Sequence, residues 1–75
     1  MSADEKVNAG NEAYMDEDYE EAVKLYTAAL EIDPKNYNAL VRRSQTLCKL
    51  KQYERATMDA QKAIDTGKTP IQIIQ

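Results

Sequence analysis

The first side chains to test for chemistry are the nucleophiles and the bases that would activate them. The sequence has one cysteine, Cys48, and no histidine, so the usual proton acceptor near neutral pH is absent. A cysteine without such a partner is poorly activated for covalent catalysis. We therefore predict that the chain is not an enzyme, that it has no catalytic residue, and that Cys48 is a small half-buried side chain.

A run of three acids, Asp16-Glu17-Asp18, is the group most able to attract a cation. Calcium needs roughly six to eight oxygen ligands spaced along a loop, and three adjacent carboxylates do not form such a cage. We interpret the run as residues that end one helix and cap the next. The sequence therefore predicts no metal site and no cofactor.

Five basic residues in the second half of the sequence could suggest a nucleic-acid surface: Arg42, Arg43, Lys49, Lys51 and Arg55. The chain nevertheless has a net charge of −3 and no recognised reading motif. Its apolar runs are only a few residues long, whereas a membrane-spanning helix needs about 20. We predict neither a nucleic-acid partner nor a membrane partner.

The net charge is divided unequally along the chain. Residues 1–34 contain ten acids and two bases, a net charge of −8, while residues 35–75 contain eight bases and three acids, a net charge of +5. Such blocks are often solvated helix faces. The same division would also suit an acidic ligand held by the second half, or head-to-tail association of copies into a homo-oligomer.

The elements that carry these residues follow from an internal repeat. Four residues recur at an offset of 34: Tyr19 as Tyr53, Ala22 as Ala56, Ala29 as Ala63, and Leu30 as Ile64. A period of about 34 residues is typical of stacked helix-turn-helix units, each of which cannot bury its apolar face alone. Such stacks present a concave surface, so the repeat favours a binding role.

Helix-start patterns divide the sequence into four helices. Ser2 with Glu5, and Asp18 with Glu21, have the spacing of a capping box, and Asn36 is a suitable N-cap. These starts predict helices over about 3–15, 19–32 and 37–50, followed by a fourth from about residue 53. No segment has the strict alternation of a strand, so the fold class is all-α.

Helix-end residues complete this division. Pro34 should stop the second helix, and Gly67 should close the fourth. We predict one domain, with unit one over about 3–36, unit two over about 37–68, and a short apolar tail over 69–75. Because Thr69 and Pro70 could begin another helix, the tail is either a truncated third unit or a variant end that lies against the second unit.

Small and large residues alternate within this plan. Gly10 and Ser44 should let the two helices of each unit approach closely, opposite the repeated alanines. Three tyrosines should span to the next helix as packing residues: Tyr19, Tyr26 and Tyr53. A core of this size rarely supplies more than about 3–5 kcal/mol. With one cysteine and no secretory pattern, we expect a reducing cytoplasmic setting, with the nucleus as the alternative.

The run Gly10-Asn11…Tyr19-x-x-Ala22-Val23-x-x-Tyr26-x-x-Ala29-Leu30-x-x-x-Pro34 resembles a tetratricopeptide repeat of the co-chaperone kind over about residues 3–68. In the second unit, Ala60 replaces an aromatic residue and Lys68 replaces the closing proline. Residues 11–30 are most similar to the repeat domain of the Sgt-one co-chaperones, in which such repeats precede CS and SGS domains. This resemblance implies an adaptor in heat-shock chaperone and ubiquitin-ligase complexes.

The resemblance also implies where a peptide would bind. Some co-chaperone repeats clamp a terminal carboxylate with five side chains, of which only Asn11 is matched here. Val7 stands where a lysine would be needed and Arg42 where an asparagine would be needed. By the family's pattern the partner groove is lined by Asp4, Val7, Asn11, Tyr14, Asn38, Val41, Arg42, Gln45 and Lys49.

The sequence thus predicts an adaptor that binds a protein or peptide, with a heat-shock chaperone or a ubiquitin-ligase component as the expected partner. Two alternatives remain. The first is a carboxylate-clamp module for the acidic C-terminal tail of a heat-shock chaperone. The second is a self-associating structural module.

Overall fold

Four helices make up the protein in a computed structural model that describes residues 2–67. They are α1 (Ala3–Met15), α2 (Tyr19–Ile32), α3 (Tyr37–Lys49) and α4 (Tyr53–Asp65). These residues contain no strand, and the predicted all-α class with two helix-turn-helix units is confirmed. The predicted tail over 69–75 lies outside the described residues.

Several helix ends are fixed by the residues that the sequence indicated. At the start of α1, Ser2 Oγ accepts from the Glu5 N–H at 3.2 Å, and Glu5 Oε1 accepts from the Ser2 N–H at 2.9 Å. Asn36 Oδ1 accepts from the Ala39 N–H at 2.9 Å and caps α3. Gly67 adopts a left-handed φ of 78° just beyond α4. The predicted capping box of α1, the N-cap of α3 at Asn36 and the closing glycine after α4 are confirmed.

The predicted capping box at Asp18 and Glu21 is wrong. Asp18 is the N-cap residue of α2, but its side chain makes no capping hydrogen bond, and its ψ of 72° differs from that of an extended cap. Backbone bonds hold this turn instead: the Glu17 N–H donates to the Tyr14 carbonyl, and the Asp18 N–H donates to the Ala13 carbonyl, both at 2.9 Å. This is a Schellman motif with Glu17 in the left-handed conformation at a φ of 63°.

The turn after α3 has the same geometry. The Lys51 N–H donates to the Cys48 carbonyl at 3.0 Å, and the Gln52 N–H donates to the Leu47 carbonyl at 2.8 Å. Lys51 also has a φ of 63°. The 34-residue repeat therefore extends to the backbone conformation of the turns.

Short connections place consecutive helices side by side and antiparallel. We call α1 and α2 the first hairpin, and α3 and α4 the second. Each helix packs on the next, and α1 also contacts α3. The core is built of small residues around a few large ones: Ala3, Val7, Ala13, Ala22, Tyr26, Ala29, Ala39, Leu40, Leu47, Ala56 and Ala63.

Gly10 has the steric role that the sequence predicted, although its partner is a ring rather than an alanine. A Cβ on Gly10 would lie 2.6 Å from Tyr26 Cε1, closer than side chains pack. In the second hairpin the Ser44 hydroxyl donates to the Ala56 carbonyl at 2.9 Å. The two helices of each hairpin can therefore approach closely at this level.

Two predictions about burial are wrong. Cys48 is exposed rather than half-buried, because it lies on the side of α3 away from the buried pair Thr46 and Leu47. Tyr53 is 60% exposed rather than packed, because it begins α4, where no described helix covers it. Tyr26, in contrast, is fully buried, as the packing prediction requires.

Candidate functional site

The predicted groove residues come from α1 and α3, the first helices of the two hairpins, which contact each other. We call the surface that they share the inner face. Five of its predicted residues are exposed, namely Asp4, Asn38, Arg42, Gln45 and Lys49, and three are half-buried, namely Asn11, Tyr14 and Val41. Side chains of several chemical types are therefore accessible there.

Val7 differs from the other predicted groove residues. Its side chain is only 6% exposed and belongs to the core cluster. The position leaves little surface for a ligand, and its isopropyl group offers neither charge nor a hydrogen bond. The neighbouring Lys6 is half-buried.

The first end of the inner face is polar and acidic. Asp4 and Asn38 line one depression with residues of the connection between the hairpins: Asp33, Asn36 and Tyr37. The structure thus brings together the predicted residues from the N-terminal ends of α1 and α3. This end can offer oxygen acceptors and amide donors to a ligand.

The middle of the inner face is organised around the Tyr26 hydroxyl. Tyr26 belongs to α2, but its hydroxyl donates to Asn11 Oδ1 in α1 at 2.6 Å. Burial raises the pKa of the Tyr26 phenol, the positive charge of Arg42 opposes that rise, and Tyr14 adds slightly to it. The hydroxyl therefore bonds directly to one predicted groove residue, Asn11, and two others, Tyr14 and Arg42, contribute to its electrostatic surroundings.

Tyr14 and Arg42 differ in how firmly other side chains hold them. Tyr14 packs edge-to-face on Tyr19, with ring centroids 5.3 Å apart and planes inclined by 66°. Arg42 makes only a long contact of 3.5 Å from Nη1 to Gln45 Oε1. Among residues 2–67 no carboxylate pairs with Arg42, so its charge is available to a ligand.

The second hairpin contains an ion pair that sequence reasoning missed. Arg43 Nε lies 2.6 Å from Asp59 Oδ2, and Arg43 Nη2 lies 2.7 Å from Asp59 Oδ1. Arg43 Nη1 also donates to Thr27 Oγ1 of α2 at 3.1 Å. The side chains of Arg43 and Asp59 are only 16% and 5% exposed. The pair therefore joins three helices and is not part of the accessible face.

A signal for this pair exists in the repeat. Arg43 and Asp59 stand 34 residues after Ala9 and Leu25, at positions that face each other within a hairpin. Opposite charges at both positions of such a pair could have been read as a bridge between α3 and α4.

No group of three or more potential metal ligands lies together within residues 2–67. None of the four helices is long and apolar enough to cross a membrane.

Comparisons with known proteins agree with this fold. The tetratricopeptide repeat family model matches residues 13–57, which is more than half of the chain. The chain is 43% identical over 65 residues to the Protein STIP1 homolog of Dictyostelium discoideum, covering 87% of this chain and 12% of that protein. No solved structure matches the chain significantly.

Further relatives show the same pattern. The chain is 33% identical over 60 residues to the Hsp70-Hsp90 organizing protein of Triticum aestivum, covering 80% of this chain and 10% of that protein. It is 42% identical over 59 residues to the human Tetratricopeptide repeat protein 28, covering 79% of this chain and 2% of that protein. The chain thus spans about an eighth or less of these relatives. The resemblance to repeats of the co-chaperone kind is confirmed, and these relatives are consistent with the Sgt-one likeness.

Proposed function

Because the chain belongs to the tetratricopeptide repeat family, we propose that it is a protein-binding module of the co-chaperone kind rather than an enzyme. Its inner face holds a peptide segment of a partner protein. The observation that carries this proposal is the accessible set of polar and charged side chains on α1 and α3, in a fold whose relatives include organizing proteins named for Hsp70 and Hsp90.

The partner class follows from the relatives and from the resemblance. A heat-shock chaperone is the first candidate partner, since the relative from Triticum aestivum is named an Hsp70-Hsp90 organizing protein. A ubiquitin-ligase component is the second, because the Sgt-one resemblance implies such complexes. Both candidate partners support a cytoplasmic or nuclear location for the chain.

Calorimetry with an acidic peptide tests the proposal. A peptide ending in Glu-Glu-Val-Asp is titrated into the chain, with a scrambled peptide of the same composition as the control. We expect the first peptide to bind more tightly than the scrambled one. Substituting Asn11 or Arg42 in the protein should weaken binding of the first peptide more than binding of the scrambled peptide. Equal binding of both peptides, or binding of neither, would overturn the chaperone-tail version.

A carboxylate-clamp module is the narrower candidate. It is favoured by the position of Asn11 and by the exposed Arg42, which has no carboxylate partner among residues 2–67, but Val7 supplies no cation. Amidation of the peptide terminus separates the two versions. Loss of binding on amidation supports a clamp, whereas unchanged binding supports recognition along the length of the peptide.

Self-association is the third candidate, favoured by apolar side chains on α4. Tyr53, Met58 and Ile64 are 60%, 60% and 50% exposed. The acidic first half and the basic second half of the sequence also suit head-to-tail contact. Sedimentation at low and high salt decides this, because salt screens exposed charges. A chain that stays monomeric at high concentration and low salt is not a self-associating module.

A further inference from the structure

The Tyr26 side chain is held in one position by packing. It is fully buried, and its ring occupies the space that a Cβ on Gly10 would need, with ring carbons at 2.6 and 2.8 Å from that site. A ring fixed in this way also fixes its hydroxyl, which reaches the edge of α1. A buried phenol usually finds a hydrogen-bond partner, and here the partner is Asn11 Oδ1.

This bond determines which end of the Asn11 carboxamide is available. The group has one acceptor oxygen and one NH₂ donor, and Tyr26 engages the oxygen. Asn11 Nδ2 has no partner within residues 2–67, and those residues contain no side-chain nitrogen or oxygen that is both buried and unpaired. Since Asn11 is half-buried, its Nδ2 must be accessible to solvent. The two N–H donors of this amide on α1 are therefore available to a ligand.

The surroundings of this donor favour negative charge. Arg42 of α3 is an exposed cation among the predicted residues of the inner face, and no carboxylate among residues 2–67 neutralises it. Bonds from an amide and a guanidinium to one carboxylate are directional and stronger than bonds between neutral groups.

We propose that Tyr26 is a positioning residue of the inner face, a role that rests on the peptide-binding function above. Its hydroxyl holds the Asn11 carboxamide with Nδ2 outward, so that Asn11 and Arg42 together select a carboxylate on the bound peptide. Tyr26 itself touches no ligand. The site therefore needs only two donors, one from each hairpin, and no cation at position 7.

Two variants and one control test this role in the whole chain. Tyr26→Phe removes only the hydroxyl, while Asn11→Asp keeps an acceptor for it but removes the outward donor. Tyr53→Phe, at an exposed tyrosine of the second hairpin, is the matched control. Backbone amide NMR spectra establish that each variant is folded.

Two readouts separate positioning from a purely structural role. The first is side-chain ¹⁵N relaxation of the Asn11 NH₂ group in the free protein, which we expect to be ordered in the native chain and mobile in Tyr26→Phe. The second is the affinity ratio for the peptide ending in Glu-Glu-Val-Asp with a free and an amidated terminus. We expect this preference to fall about 3- to 10-fold in Tyr26→Phe and about 10-fold or more in Asn11→Asp.

The outcomes are distinguishable. Unchanged Asn11 order and unchanged carboxylate preference in Tyr26→Phe would overturn the positioning role, as would an equal effect of Tyr53→Phe. If the native chain binds neither peptide, the proposed function and the carboxylate selection both fail. The relaxation measurement then still decides whether Tyr26 orders Asn11.

Discussion

The two hairpins share one 34-residue frame but fasten their helices differently. In the first hairpin, the Tyr26 ring fills the space left by Gly10. At the equivalent positions the second hairpin has Ser44 and Ala60, so no ring crosses between its helices, and the Ser44 hydroxyl bonds to the backbone of α4 instead. The two helices of a hairpin can thus be held together either by a large ring packed against a glycine or by a hydrogen bond from a small polar side chain.

A second pair of equivalent positions differs even more. The first hairpin has Ala9 and Leu25 where the second has Arg43 and Asp59. The first therefore depends on apolar packing that is spread over many residues. The second concentrates two nearly buried opposite charges in one ion pair, so that removing either partner leaves the other without compensation. This difference predicts that single substitutions affect the second hairpin most.

The largest effect is expected for Asp59→Leu. The substitution leaves the Arg43 guanidinium nearly buried without its carboxylate, which costs about 3–5 kcal/mol. A core of this size supplies about the same free energy of unfolding. We therefore expect the chain to be largely unfolded at 25 °C, as measured by far-UV circular dichroism and urea titration.

The matched control is a double variant that places the residue types of Ala9 and Leu25 from the first hairpin at the equivalent positions of the second. Arg43→Ala combined with Asp59→Leu reproduces Ala9 and Leu25, and replacing a buried ion pair by apolar residues is often neutral or stabilising. Most of the lost stability should return. A double variant as unstable as Asp59→Leu would show that the ion pair is not the reason for the loss.

The contrast between caps and ion pair shows what the sequence could predict. The capping of α1 by Ser2, the end of α2 before Pro34 and the cap at Asn36 depend on residues within four positions of each other, so local patterns indicate them. The Arg43–Asp59 pair joins residues 16 positions apart on two helices. Its formation depends on the rotation of each helix about its axis, which local sequence does not determine.

An intermediate effect is expected at the close approach within each hairpin. Gly10→Ala gains about 1 kcal/mol of helix propensity, but the new Cβ meets a rigid ring, and overpacking costs about 1–3 kcal/mol. We expect a net loss of about 1 kcal/mol. Ser44→Ala meets no such ring and loses one hydrogen bond of about 1 kcal/mol, partly offset by about 0.5 kcal/mol of propensity.

Urea titration of both variants compares the two hairpins directly. Gly10→Ala should lower the free energy of unfolding more than Ser44→Ala does. The reverse order would mean that the Tyr26 ring can move aside at little cost. That result would also weaken the view that packing fixes the Tyr26 hydroxyl.

The inner face shows a different limit of prediction. The family pattern identified Asn11 and Arg42, whose positions on α1 and α3 follow from the repeat. The repeat predicted Tyr26 as a packing residue whose phenol could reach a polar partner, but it did not indicate that this partner would be the groove residue Asn11. A side chain on the helix behind the face can thus order a residue on it, and such a contact requires the geometry of both helices.

The smallest effect is expected where the hairpins are alike, at the two left-handed turn residues. Glu17 and Lys51 both have a φ of 63°, which costs a residue with a Cβ about 1 kcal/mol. Glycine relieves this strain in the folded state, but its greater conformational freedom stabilises the unfolded chain by about 0.5 kcal/mol. The free energy of unfolding of each glycine variant should therefore rise by a few tenths of a kcal/mol.

Measuring the stability of the two glycine variants at low and high salt distinguishes the effect of backbone strain from the effect of charge repulsion at these turns. Glu17→Gly also removes one of three adjacent acids, so at low salt it should stabilise more than its backbone change alone. At high salt, where that repulsion is screened, Glu17→Gly and Lys51→Gly should shift the urea midpoint equally. A difference that persists at high salt would show that the two turns are not energetically equivalent despite their shared φ.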